Sequence, residues 1–160
     1  MNHAHSDSLD TSVIGSYFDD EWKEATQELF RLADLGIYHL VASVVTANEV
    51  LGAPPEVQQH FASTFSDPAQ LLDFTEEAES LAQAYLAAGV VTPKYADDAR
   101  HIAVATVHSL SLIVSWNFKH LANIKREAGF NAVNLLQGWP QIRILTPLQL
   151  LNQTDEDQDL

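Results

Sequence analysis

Apolar positions along this chain switch repeatedly between two spacings. Trp22, Ala25, Leu29, Leu32 and Ala33 recur every three or four residues and predict a helix that Gly36 ends. Residues 38–43 (YHLVAS) form a short apolar run and predict a buried strand. Thr46 is then expected to cap a brief helix carrying Glu49, closed by Gly52 and by Pro54 with Pro55. Residues 55–65 (PEVQQHFASTF) make an amphipathic helix, with Pro68 turning the chain after it, and LLDF (71–74) reads as a short strand or extended link. Thr75 caps EEAESLAQAYLAAG (76–89), whose first-turn acids suit the helix dipole, and Gly89 closes it. After Pro93 comes a strongly apolar helix, YADDARHIAVATVHSL (95–110). LSLIVSW (110–116) is the clearest strand, FKHLANIKREAG (118–129) a helix stopped by Gly129, and QIRIL (141–145) a last strand before TPLQLL.

Strands alternating with helices predict an α/β fold: three α/β/α layers around a central, mostly parallel sheet. In such sheets functional groups gather beyond the carboxyl ends of the strands. Those ends deliver oxygen ligands from separate segments. Asp10 follows the first short run, Glu49 follows HLVAS, Asp97 and Asp98 open the apolar helix, and Asn117 follows IVSW. Taken singly, each has an ordinary structural use: Asp10 as a helix cap, Glu49 on a solvated helix, Asp97 and Asp98 as first-turn acids. Taken together, Asp10, Glu49 and Asp98 make a hard-oxygen cluster, and unpaired acids do not crowd without a cation.

Composition narrows the alternatives. At 160 residues with 46% hydrophobic and 19% charged, the chain fits one domain with a sizeable core. No cysteine is present, so disulfides and thiolate metal sites are excluded, and a cytoplasmic location is expected. No apolar run approaches the ~20 residues of a membrane span, and the start, MNHAHSDS, lacks the apolar core of a signal peptide. With almost no apolar run before Leu9, residues 1–8, including the weak metal-binding candidate HAH, are expected to be a flexible segment. Residues 9–151 are the expected domain, and 152–160 a disordered acidic tail. The net charge of −14 disfavours non-specific attraction to phosphate backbones; it suits a bound cation, a basic partner, or simple solubility.

Four motifs occur in order: LDTSVI; Ser43, Thr46 and Glu49 in S-x-x-T-x-x-E; DDARHIAVAT; and LIVSWNFKHL. In this register the chain resembles the PIN-domain family of metal-dependent ribonucleases, and within it the VapC-like toxins of bacterial toxin–antitoxin pairs, over roughly residues 9–147. The resemblance implies an endoribonuclease that hydrolyses RNA phosphodiester bonds, and a small antitoxin and a second copy of the chain as partners. It places Asp10, Glu49 and Asp98 as ligands of one or two Mg²⁺ or Mn²⁺ ions, with Asn117 where many members carry a fourth acid. Thr11, Ser12, Thr46 and Ser115 would support them, and Asp97 points about 100° away from Asp98 on the helix. Such ions neutralise the phosphate, and water, not a side chain, is the expected nucleophile. Lys119, His120, Lys125 and Arg126 are candidate RNA contacts; His101 and Trp116 are expected to pack or bond locally.

Two other functions stay open. The polar first run, Asn117 and the acidity suit a PIN-fold binding module with impaired catalysis, acting through protein or RNA. A phosphate hydrolase with Asp10 as covalent nucleophile would want a second acid two residues on, where Ser12 stands.

Overall fold

A computed structural model of the protein describes residues 6–158, and side chains only as far as Asp155. The HAH motif, the rest of residues 1–5, and residues 159–160 lie outside the described residues. The elements run β1 (Ser6–Leu9), α1 (Thr11–Ser16), α2 (Lys23–Asp34), β2 (His39–Ser43), α3 (Val44–Val50), α4 (Pro55–Thr64) and β3 (Leu71–Leu72). The second half adds α5 (Glu76–Ala87), α6 (Ala96–Val107), β4 (Leu112–Val114), α7 (Ile124–Gln137), β5 (Arg143–Leu145) and α8 (Pro147–Gln158).

Among the described residues the strands form one five-stranded sheet in the order β3-β2-β1-β4-β5, with every pairing parallel. Helices cover both faces, as parallel strands joined by helical crossovers require. Alternation along the strands sends neighbours to opposite sides. Ile113 and Ile144 join a core with Leu81 and Tyr85 of α5, Ile102 of α6 and Phe130 of α7. Val114 and Leu145 join Val13 and Ile14 of α1, Leu29 and Phe30 of α2, Val57 of α4 and Leu150 of α8. The expected three-layer α/β/α architecture with a parallel sheet is present.

Four local expectations need correction. Residues 6–8 are not flexible: Ser6–Leu9 is the central strand, pairing Asp7 with Leu40, Ser8 with Val41 and Leu9 with Val114. Its backbone ladder on both sides, not an apolar pattern, holds it in place. Ser43, not Thr46, caps α3, its hydroxyl accepting from the Thr46 N–H at 3.3 Å. The helix expected over 118–129 starts later, capped by the Asn123 side chain, and passes through Gly129 to Gly138, which adopts φ +80° and closes it. Glycine suits the helix interior at 129 because a Cβ there would meet Val90 Cγ1 at 3.1 Å. Finally, α8 continues through the expected disordered tail as far as Gln158. Thr146 and Gln149 cap its start reciprocally, Leu150 is buried, and Tyr38 Oη bonds Thr154 Oγ1 at 2.5 Å.

Candidate active site

The carboxyl ends of β1, β2 and β4 open beside the first turn of α6. The turn after β1 leaves Asp10 in extended conformation as the residue before α1, but its side chain does not cap that helix. Instead Asp10 Oδ2 accepts from Ser12 Oγ at 2.8 Å and Ser115 Oγ at 2.7 Å. Both hydroxyls are fixed from behind: Ser12 Oγ accepts from the Trp116 N–H at 3.0 Å and Ser115 Oγ from the Asn117 N–H at 2.9 Å. Each serine is therefore committed as a donor to Asp10, which keeps a buried carboxylate oriented and solvated by protein.

The other carboxylate oxygen faces α6. His101 Nε2 lies 3.4 Å from Asp10 Oδ1 and 2.6 Å from Glu49 Oε1. Thr46 Oγ1 is 3.3 Å from His101 Nδ1 and 3.4 Å from the Leu9 carbonyl, so Thr46 positions the imidazole. Burial works against an imidazolium here. The bond to Glu49 and the charges of Asp10, Glu49 and Asp98 outweigh it, and His101 holds its proton above the ordinary histidine range. Asp98 stands one turn before His101, and its carboxyl is raised to about 6. Burial is the main cause; Asp10, Glu49 and Asp97 push the same way, while His101 opposes them. Asp97 turns outward and pairs with Arg100 at 2.5 Å. Asp98 is thus the member of the pair that feels the cluster.

Sequence reasoning assigned His101 a local role and left it out of the site, yet it sits between two of the three acids. Its only signal was a position three residues after Asp98 on one helix. Asn117 arrives at the expected strand end, but its Oδ1 accepts from the His120 N–H at 3.0 Å, capping a turn. Among the described residues it makes no side-chain bond to Asp10, Glu49 or Asp98. Thr11 Oγ1 is buried beside Asp10 without a partner among the described residues.

The basic candidates separate. His120 stacks on Tyr95 with ring centroids 3.6 Å apart, and its proton affinity is lowered, first by burial, then by Lys119, Arg126 and Lys94. Lys94, which sequence reasoning missed, therefore joins Lys119 and Arg126 around His120, whereas Lys125 is exposed. Arg126 also donates to the Val90 carbonyl. Trp116 is core, stacked on Trp22 at 4.6 Å.

Asp98, whose charge Asp10 and Glu49 disfavour, forms with those two carboxylates an oxygen donor set suited to a hard divalent cation. In the rotamers present no group of three His, Asp or Glu side chains converges on a common point among the described residues. His101 fills the space between Asp10 and Glu49. His101 is fully enclosed, while the Glu49 side chain is 34% exposed, so Glu49 is the group free to turn toward an ion.

No protein-family model matches the chain, and no curated protein matches it. Among solved structures it is similar to VapBC2 from Rickettsia felis, crystallised bound to a DNA fragment from its promoter. The likeness covers 88% of this chain and 98% of that one, with a TM-score of 0.52 and 13% sequence identity. The fold is that of a VapC-like PIN domain. At that identity the likeness is one of fold alone and assigns no role to any residue. No described helix is long and apolar enough to cross a membrane.

Proposed function

We propose that this PIN-fold protein is a divalent-metal-dependent endoribonuclease and the toxin of a toxin–antitoxin pair. The observation that supports the reading is that Asp10, Glu49 and Asp98, from three segments, lie close enough for burial and then the charges of Asp10 and Glu49 to raise the Asp98 carboxyl to about 6. Asp10 and Asp98 would hold a Mg²⁺ or Mn²⁺ ion directly, with Glu49 as a direct or water-bridged third ligand. When bound, such an ion neutralises phosphate charge and makes an attacking water more acidic.

The chain's own residues do the rest. Ser12 and Ser115 hold Asp10 in one rotamer through two short bonds. Thr46 holds His101, whose imidazole lies between Asp10 and Glu49 and opposes the rise of the Asp98 carboxyl. Lys94, Lys119 and Arg126, gathered around His120 beyond the β4 end, would supply positive charge for an RNA backbone in a protein whose net charge is −14. An acidic surface favours a basic antitoxin segment, and a homodimer is the assembly expected of such toxins. The test is RNA cleavage with Mn²⁺ by the intact chain and by Asp10→Asn and Asp98→Asn. Loss in both variants is expected, and unchanged cleavage places the chemistry elsewhere.

A second reading, a PIN-fold binding module without catalysis, is favoured by the His101 bridge between Asp10 and Glu49. Calorimetry separates the two: no heat of Mn²⁺ binding to the intact chain selects the second.

A further inference from the structure

The loop that leaves β4 carries an aromatic ring and a cation to the surface beside the acidic cluster. At its base, the Ser115 hydroxyl bonds Asp10 and the Trp116 N–H bonds Ser12 Oγ. Phe118 follows three residues after Ser115, so at most about 10 Å of chain separates their Cα atoms. Tyr95 is the residue before α6 and stands three positions before Asp98. It stacks on His120 with ring centroids 3.6 Å apart, which pins the loop against the start of the helix that carries Asp98. Within the loop, Asn117 Oδ1 accepts from the His120 N–H, and Asn123 Nδ2 donates to the Phe118 and Lys119 carbonyls at 2.8 and 3.2 Å. Phe118 and Lys119 are therefore presented on a backbone that is already ordered.

Phe118 is 48% exposed. Its ring leans on Trp22 and Trp116, with centroids 5.7 and 6.0 Å away, and those two indoles are themselves stacked. A single exposed apolar side chain is ordinary on a protein surface; what marks this one is the charge beside it. Of the eight basic residues in the chain, Lys23, Arg31 and Arg100 are each paired with an acid three residues away. Lys94 and Lys119 have no acid partner among the described residues. Lys119 adjoins Phe118 in the chain, and Lys94 Nζ lies 5.6 Å from the centre of the Tyr95 ring. Arg126 completes the group around His120, with one N–H given to the Val90 carbonyl. In a chain at −14, unpaired cations collected beside an open ring suit a ligand that is anionic and also has a flat π face. A nucleotide is both: its base stacks on an aromatic ring and its phosphate draws lysine. An apolar protein segment would cover the ring and leave both lysines unused.

We infer that Phe118 is the platform on which a base flanking the cleaved phosphodiester stacks, with Lys94 and Lys119 on the adjoining phosphates. This role rests on the ribonuclease reading above, for which Phe118 would position substrate without holding metal. The test is binding of a single-stranded RNA oligonucleotide containing 2-aminopurine to the intact chain, with Ca²⁺ in place of Mn²⁺ to suppress cleavage. Anisotropy gives the affinity, and 2-aminopurine emission reports stacking. Phe118→Ala and Phe118→Leu should each weaken binding about tenfold and remove the emission change, whereas Phe118→Trp should keep both. Lys94→Ala and Lys119→Ala should each lower the slope of log affinity against log salt by about 0.7 and keep the emission change. The same strand annealed to its complement, with its bases already stacked, should bind about tenfold more weakly or worse. Wild-type affinity in both Phe118→Ala and Phe118→Leu overturns the role, as does a duplex bound as tightly as the single strand, or no binding of either. It is equally overturned if Phe118→Ala changes the oligomeric state and leaves RNA affinity intact, since the ring then meets protein. Mn²⁺-dependent cleavage by the wild type, lost in Asp98→Asn, is measured alongside: if cleavage stands while the Phe118 variants bind normally, the platform alone fails, and if cleavage is absent the ribonuclease reading fails with it.

Discussion

Replacing Asp7 by Asn should change how the stability of this protein depends on pH. The folded chain holds the Asp7 proton up to about pH 7, because burial disfavours the carboxylate, while the unfolded chain releases it near 3.8. Between those values the folded state binds more protons than the unfolded one, so the stability Asp7 permits is complete below pH 3.8 and is lost as pH rises through about 7. A shift of this size amounts to about 4 kcal/mol in total, of which about 2–3 kcal/mol falls between pH 5 and pH 8. At 3% exposure little of this is screened by solvent. Asparagine keeps the shape and does not titrate, so its own unsatisfied amide adds a constant penalty of about 1–3 kcal/mol at every pH. Urea unfolding of wild type and Asp7→Asn at pH 5, 6, 7 and 8 measures the difference directly. Asp98 titrates in the same direction in both proteins and cancels. The variant should gain about 2–3 kcal/mol relative to wild type across the series, and a difference that stays flat from pH 5 to 8 would refute a buried, unpaired Asp7.

At the acidic cluster, Asp98→Asn should reduce Mn²⁺-dependent RNA cleavage by about 100-fold or more, whereas Asn117→Ala, whose oxygen caps a turn, should cost about tenfold or less; the reverse order would contradict a ligand role for Asp98 and a turn-capping role for Asn117. Because the Asp98 carboxyl is raised to about 6 and must be ionised to ligate, Mn²⁺ affinity by calorimetry should be strong at pH 7.5 and fall steeply below pH 6. Ser115→Ala removes a 2.7 Å donor from buried Asp10 and should destabilise the fold by about 1–3 kcal/mol in urea, with weaker Mn²⁺ binding.

The parts of this architecture that rest on local pattern were legible in the sequence. Strands β2, β4 and β5 are short apolar runs, and Thr75 is a side-chain cap followed by first-turn acids, so composition alone marks them. The choice of Asp98 over Asp97 followed from helical geometry, and the structure turns Asp97 toward Arg100. What failed depended on long-range packing. SDSL carries no strand signature, because parallel ladders on both sides, not side-chain burial, make it the central strand. Gly129 looked like a stop, since nothing local reveals that Val90 occupies the place of its Cβ. His101 and Lys94 were undervalued for the same reason: their importance lies in neighbours 52 residues away at Glu49 and on the segment carrying His120.

One strand carries an acid toward each end of the sheet, and the two acids are treated oppositely. Asp10 receives hydroxyls from Ser12 and Ser115 and an imidazole from His101, groups contributed by α1, the β4 end and α6. Its environment is assembled only when the whole fold closes, which makes it a consequence of topology and not of local sequence. Asp7, three residues earlier on the same strand, is as buried and receives none of this. Buried charge without compensation is selected against by stability alone. The contrast therefore separates a carboxylate held by hydrogen-bond donors from one whose burial is relieved by keeping its proton. Asp7 should on this account keep its proton in the folded chain at pH 5 and cost the fold stability only as pH rises through about 7.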